Sequence, residues 1–330
     1  MTALFFVRSP GPYTTIQDRG RFDWVHMGVP ISGAVDDFAY AGANQLVGNP
    51  EDLPALEITL AGTELEVLDT ADIAMTGAEM QLTVNGRPAA GWRTLRVKKG
   101  DRIATGMATS GCRAYLSATG GISVPEVMGS CSTYVGGRIG GLDGRPLHAG
   151  DILERGAGTL LRSPRRMPWF PIYSSEIHVR AIPGPQDDCF TGAIDGFFAA
   201  EFKFTDKANR MGCRLEGPFI DRDAGAPKSI ISEASFPGNI QIPPDGRPII
   251  LMVEQTIGGY TKIATVITPD LFQVAQAKPG DRIRFHRTSL EEAGEIHANW
   301  TALLAELRHS LESGEKPMKY PVQRFWRIGG

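Results

Sequence analysis

Pro279-Gly280-Asp281-Arg282-Ile283 reads as a strand corner, in which Gly-Asp supplies a tight turn and an apolar strand follows. The same pattern stands at Lys99-Gly100-Asp101-Arg102-Ile103 and at Ala149-Gly150-Asp151-Ile152-Leu153. The copies are too short to mark duplicated domains, but they predict similar corners in both halves of the chain. Short alternating segments surround them. Ile177, Val179 and Ala181 alternate with Glu176, His178 and Arg180, as a strand with one wet face does. Leu56, Ile58 and Leu60 share a face, and Leu65 and Val67 resume the pattern after Ala61-Gly62. Leu82 and Val84 lead into Asn85-Gly86, the dipeptide best suited to a type I′ hairpin. With 39 glycines and 23 prolines, many short strands joined by tight turns are favoured over a helical bundle. The expectation is a mainly β protein with a few helices.

A chain of 330 residues is long for one core, so two β-rich lobes are expected. Ser163-Pro164-Arg165-Arg166-Met167-Pro168-Trp169-Phe170-Pro171, with three prolines, reads as the linker. The boundary is placed there, with lobes at 1–165 and 166–330. Asp36 is positioned to cap a helix that buries Ala39, Ala43, Leu46 and Val47 and stops at Gly48-Asn49-Pro50. Ser289 and Glu292 form a capping box for a terminal helix at about 289–313. Its stripe is Ile296, Trp300, Leu303, Leu307 and Leu311, and Gly314 closes it.

Charge and motifs remove several function classes. Thirty-four basic and 37 acidic side chains leave a net charge of −3, no electrostatic footprint for nucleic acid or an anionic membrane. No apolar run approaches the roughly 20 residues that span a bilayer, and the opening residues lack signal-peptide features, so a cytoplasmic protein is expected. Cys112, Cys131, Cys189 and Cys213 have no C-x-x-C spacing, and the six histidines are scattered, so no metal site is expected. No phosphate-binding loop of the G-x-x-x-x-G-K-[ST] type occurs, nor G-x-S-x-G or H-E-x-x-H. If ATP is consumed, its binding is expected on partner subunits.

Dense polar stretches carry the functional signal. They are Pro10-Gly11-Pro12-Tyr13-Thr14-Thr15-Ile16-Gln17-Asp18-Arg19-Gly20-Arg21, Gly28-Val29-Pro30-Ile31-Ser32-Gly33-Ala34-Val35-Asp36, and Tyr115-Leu116-Ser117-Ala118-Thr119-Gly120-Gly121-Ile122. The second half adds Asn209-Arg210-Met211-Gly212-Cys213-Arg214, Pro237-Gly238-Asn239-Ile240-Gln241-Ile242-Pro243-Pro244, and Glu254-Gln255-Thr256-Ile257-Gly258-Gly259-Tyr260-Thr261-Lys262. In this order, from about Pro10 to Phe285, they resemble the family of the 5-oxoprolinase C subunit, also called KipI antagonist or allophanate hydrolase subunit 2-like. That family is related to the carboxyltransferase region of biotin-dependent urea carboxylase. The chain departs from the family pattern at Glu254-Gln255-Thr256, where Asp-x-Gln-Thr is usual, at Thr261, where proline is usual, and at Cys213, where an aromatic is common.

The resemblance implies a cyclophilin-like β-barrel architecture and a role in ATP-dependent opening of 5-oxoproline to glutamate. It also implies two partners, a KipI-type B subunit and a LamB/YcsF-type A subunit. Two alternatives stay open. One is a carboxyltransferase component of a urea or amide carboxylase, with biotin arriving on another chain. The other is a non-catalytic antagonist of a KipI-type kinase inhibitor. A lactam offers a ring N–H, a carbonyl oxygen and a carboxylate, so its site needs an acceptor, a neutral donor and a cation. Arg210 or Arg214 would pair the carboxylate, and Asn209, Gln241 and Gln255 would read the amide edges. Thr256, Gly258, Gly259 and Tyr260 complete the binding set, the two glycines suggesting close backbone approach. Glu233 or Glu254 would relay a proton and Lys262 would stabilise negative charge. The run Glu254–Lys262, between the apolar runs Ile249–Val253 and Ile263–Ile267, reads as an exposed loop at a barrel mouth. Asp18, Arg21, Ser32 and Asp36 are either a second polar site or a helix cap with a partner contact.

Overall fold

The computed structural model describes residues 2–315; the tail Lys316–Gly330, which lies beyond the family pattern, falls outside the described residues. The chain is mainly β and divides into two compact units. The first holds residues 2–23, Ser32–Tyr173 and 307–315, and the second holds 24–31 and Ser174–Glu306.

The main division falls after Tyr173, not at 165/166, because the proline-rich stretch is a strap of the first unit. Thr94 N donates to Arg165 O at 2.9 Å and Met167 N to Trp92 O at 3.0 Å. Met167 is buried, and Phe170 stacks on Trp92 at 5.0 Å between ring centroids. The residues between the prolines keep their N–H groups, and those suffice to pair.

Two antiparallel sheets build the first unit. One runs Ile122–Ser123, Ile152–Arg155, Thr2–Pro10, Thr63–Val67, Arg102–Ala104, Thr83–Val84, Arg87–Pro88. The other runs Tyr13–Gln17, Ala55–Thr59, Ser110–Ala118, Ala71–Glu79, Thr94–Val97. Leu4, Phe5, Ile16, Leu56, Ile58, Leu65, Ile73 and Leu116 share one core. Leu60 does not join Leu56 and Ile58: it lies past the strand end at φ 67° and is 37% exposed. The helix Asp37–Leu46 buries Ala39, Ala43 and Leu46, and its Asp36 cap accepts from Ala39 N at 2.9 Å. Asn85 and Gly86 have φ of 54° and 73°, the pair of positive values a type I′ turn requires.

The three Gly-Asp corners are one structure built three times. In each, the aspartate Oδ2 accepts from the backbone N–H three residues earlier: Lys98 at 2.7 Å, His148 at 2.7 Å, Lys278 at 2.8 Å. In each, the glycine donates to and the aspartate carbonyl accepts from one residue of a neighbouring strand, namely Val67, Val7 or Phe204.

The second unit is a closed seven-stranded barrel. Around it run Glu176–Pro183, Thr261–Val266, Asn239–Ile242, Ile249–Leu251, Gly212–Glu216, Glu201–Ala208 and Arg282–Arg287, the last closing on the first in parallel. Ile177, Val179 and Ala181 are buried while His178 and Arg180 are only half-buried. Phe197, Phe202 and Phe285 cluster, with the rings of Phe197 and Phe285 stacked at 4.8 Å. The helix Leu290–Ser313 opens on the expected reciprocal cap, Ser289 N to Glu292 Oε2 at 3.0 Å and Glu292 N to Ser289 Oγ at 3.1 Å. Trp300, Leu303, Leu307 and Leu311 are buried along its stripe; Ile296 is only half-buried. Trp300 stacks on Phe272 at 6.2 Å.

Candidate functional site

Closing a barrel fixes which side chains stand together at its rim, because strand register is set by the backbone ladder. Gln241 lies directly opposite Lys262 across the Asn239–Ile242 and Thr261–Val266 strands. Directly opposed residues of an antiparallel pair project to the same face. Beside them a two-stranded flap forms, with Glu233 opposite Gly258 and Ala234 opposite Ile257. Thr256 contributes its carbonyl, which accepts from Ser235 N at 3.0 Å and pins the flap.

A cavity of about 620 Å³ opens here, and the structure brings seven sequence-predicted residues to its wall: Asn209, Arg214, Gln241, Gln255, Gly258, Gly259 and Tyr260. Gln241 is buried, and Gln255 is half-buried with its Nε2 donating to Ile257 O at 2.5 Å. Asn209 Oδ1 accepts from Met211 N and Gly212 N, which orients its amide. The close approach read from the paired glycines is present. A Cβ on Gly258 would stand 2.3 Å from Gln241 Nε2, and one on Gly259 would stand 3.1 Å from Ile230 O.

Lys262 departs from its reading as a residue of an exposed loop. It lies within a barrel strand and is 2% exposed. Its Nζ donates to Glu233 Oε1 at 2.6 Å, and Gln186 Nε2 donates to the same oxygen at 3.0 Å. The Lys262 hydrogen bond, followed by that of Gln186, outweighs burial and holds the Glu233 carboxyl below the usual glutamate range. The loop proper ends at Tyr260, because Thr261 and Lys262 continue the ladder to Ile242 and Gln241.

Arg210 and Glu254 are not on the cavity wall. They form a buried ion pair at 2.6 Å, with side chains 5% and 10% exposed, and Glu254 N also donates to Arg210 O at 2.9 Å. This pair braces the loop; neither group is positioned to meet a ligand in the cavity. Arg214 is paired with Asp245 at 2.5 Å but remains part-exposed on the wall.

Sequence reasoning missed three groups. Lys207 is exposed on the cavity wall. Gln186 follows Pro183-Gly184-Pro185, and a Cβ at Gly184 would collide with Lys262 O at 2.2 Å, so this Pro-Gly-Pro corner was the available signal. Ser235 is a buried serine in the flap and gave none.

The four polar residues of the first unit are mostly architectural. Asp18 accepts from Gly20 N at 2.7 Å, Ser130 Oγ at 2.6 Å, Ser132 Oγ at 2.5 Å and Cys131 N at 2.5 Å. Arg21 donates to Ser132 O at 2.6 Å. Asp36 caps its helix and accepts from Tyr173 OH at 3.0 Å. Ser32 is buried at φ 55°. Asp18 and Arg21 therefore clamp the 130–132 segment, and Asp36 starts the helix.

The family model for the carboxyltransferase domain, subdomain A and B, matches residues 27–287, and the chain belongs to that family. It is 39% identical over 325 residues to the 5-oxoprolinase C subunit of Escherichia coli (strain K12), covering 96% of each chain. It is 33% identical over 300 residues to the 5-oxoprolinase C subunit of Haemophilus influenzae, covering 90% of this chain and 96% of that one. The crystal structure of Kluyveromyces lactis urea carboxylase superposes with a TM-score of 0.86 at 32% identity, over 95% of this chain. This chain spans 29% of that much longer protein. Among the described residues, no helix is long and apolar enough to cross a membrane.

Proposed function

We infer that this chain is the third subunit of an ATP-dependent 5-oxoprolinase, and that the barrel cavity receives 5-oxoproline. The observation that carries the reading is the cavity wall itself. Three carboxamides (Asn209, Gln241, Gln255) and two cations (Lys207, Arg214) face one space of about 620 Å³. Carboxamides match the donor and acceptor edges of a lactam, and the cations match its carboxylate. Full-length similarity to two proteins named as the C subunit of 5-oxoprolinase supports the same substrate. The reaction adds water across the ring C–N bond: the carbonyl carbon gains oxygen, the bond breaks and the nitrogen takes a proton. In this reading Lys262 and Glu233 form the ionised pair that holds the catalytic end of the pocket, and Gln186 fixes their geometry. The ATP-dependent step falls to KipI-type and LamB/YcsF-type partners, since this sequence lacks a recognisable phosphate loop, and the complex would work in the cytoplasm.

A second reading has its own support. The family match and the urea carboxylase superposition favour transfer of a carboxyl group to an amide nitrogen. One experiment separates the two. The chain is purified together with its genomic neighbours, and ATP-dependent release of glutamate from 5-oxoproline is assayed beside incorporation of labelled bicarbonate into urea or an amide. Glutamate release carries the first reading, label incorporation the second, and neither activity leaves the antagonist role. In the active complex, Gln255→Ala should keep its folding free energy within about 1 kcal/mol. It should lower turnover about tenfold or more if the contact strengthens in the transition state.

A further inference from the structure

Two buried polar atoms at the flap have no hydrogen-bond partner among the described residues: Nε2 of Gln241, in a residue 4% exposed, and Oγ of Ser235, in a residue 2% exposed. They converge on one place. A Cβ added to Gly258 would lie 2.3 Å from Gln241 Nε2 and 3.3 Å from Ser235 Oγ. The missing side chain at Gly258 is what lets both atoms approach the same backbone, and both Gln241 and Gly258 belong to the cavity wall. A buried donor without an acceptor costs free energy in the empty protein, so such a pair persists where something else supplies the acceptor. Local charge indicates what kind. The charges on the adjoining strands, Lys262 and Glu233, neutralise each other at 2.6 Å, whereas Lys207 and the part-exposed Arg214 lie elsewhere on the wall.

We propose that Ser235 and Gln241 together bind the carbonyl oxygen of a cyclic amide, so that its carboxylate is left for Lys207 and Arg214. The assignment rests on the lactam reading of the cavity and adds to it an orientation and a specificity residue. A carbonyl oxygen has two lone pairs and accepts from both donors at once. An inner end with no net charge selects a neutral carbonyl over a carboxylate, because an anion buried there would lack a counter-ion.

The test measures binding to the full chain by calorimetry with three probes. These are 5-oxoproline, 2-pyrrolidinone, which lacks the carboxylate, and cyclopentanecarboxylate, which lacks the amide. Ser235→Ala should weaken 5-oxoproline and 2-pyrrolidinone about five- to tenfold and leave cyclopentanecarboxylate unchanged. Lys207→Ala should weaken 5-oxoproline and cyclopentanecarboxylate and spare 2-pyrrolidinone. Because Ser235→Ala removes a hydroxyl without a partner, its melting temperature without ligand should equal or exceed that of the wild type. Gly258→Ala, which pushes the Gln241 amide away, should reproduce the Ser235→Ala pattern. Unchanged affinities in both variants would mean that a buried water satisfies the pair, and would overturn the assignment. Equal losses on all three probes, or a lowered melting temperature for Ser235→Ala, would overturn it as well. Wild-type protein that binds none of the probes overturns the lactam reading itself, a result distinct from wild-type binding that Ser235→Ala leaves intact.

Discussion

Asp18 in the first unit and Gln241 in the second are both polar, both nearly inaccessible, and both stand in polar motifs of similar density. Their surroundings differ in one respect. The Asp18 carboxylate accepts four hydrogen bonds from the segments that follow it and from 130–132. Gln241 lines the cavity, and its buried amide nitrogen has no hydrogen-bond partner among the described residues. Between these two residues burial makes no distinction, whereas hydrogen-bond saturation does. A satisfied group closes its local network, whereas an open donor leaves room for a ligand.

The largest effect that tests the contrast is expected at Asp18. Asp18→Ala strands two hydroxyls and two backbone N–H groups, and should cost about 3 kcal/mol or more in urea unfolding. The molecules that remain folded should keep near-normal specific activity. A stable but inactive Asp18→Ala would move this cluster from architecture to function and break the comparison.

Lys262 lies between the two extremes, buried like Asp18 but paired with a part-exposed partner. Lys262→Ala removes a packed stem and should cost about 2 kcal/mol, together with turnover. Lys262→Met retains most of that volume and leaves Glu233 to the solvent, so stability should stay within about 1 kcal/mol while turnover falls about tenfold or more. Parallel loss of stability and activity in both variants would assign Lys262 to the scaffold.

The smallest effect is in pH. The Lys262 hydrogen bond lowers the folded-state pKa of Glu233 below its ordinary 4.5, so the folded protein binds fewer protons than the unfolded chain in that range. The pair's contribution is complete above about pH 4.5 and is lost as pH falls from there through the folded-state value. Glu233 is 43% exposed, which limits the loss to below about 1 kcal/mol through solvent screening. Urea midpoints of wild type and Glu233→Gln should converge on acidification, and a constant gap across that range would remove the pair from the stability balance.

What is legible in the chain alone is local. The Gly-Asp corners, the Asn85-Gly86 hairpin, the Asp36 cap and the Ser289–Glu292 capping box each depend on residues within a few positions of one another, so their chemistry is complete in a short window. The alternation of Ile177, Val179 and Ala181 likewise reports a strand wherever it sits. The candidate site is half legible. Part of the polar run from Glu254 to Lys262 lines the cavity, and Asn209, Arg214 and Gln241 join it there.

The rest depends on contacts between distant positions. Asp18 meets residues 112 to 114 positions away, and only that meeting turns a motif aspartate into a clamp. Arg210 and Glu254, 44 positions apart, neutralise each other instead of a ligand. Lys262 reads as a loop residue because polarity and glycines surround it, but barrel closure extends the ladder by two residues and buries it against Glu233. Ser235 carries no signal in a window of any length. Its proposed role arises from a hydroxyl that stands near Gly258 with no partner among the described residues, a property set by how the flap folds. Local chemistry in the chain specified the strands, corners and caps. Which polar groups became saturated and which stayed open was decided by tertiary structure, because a hydrogen-bond partner is a matter of distance in space and the chain order does not contain it.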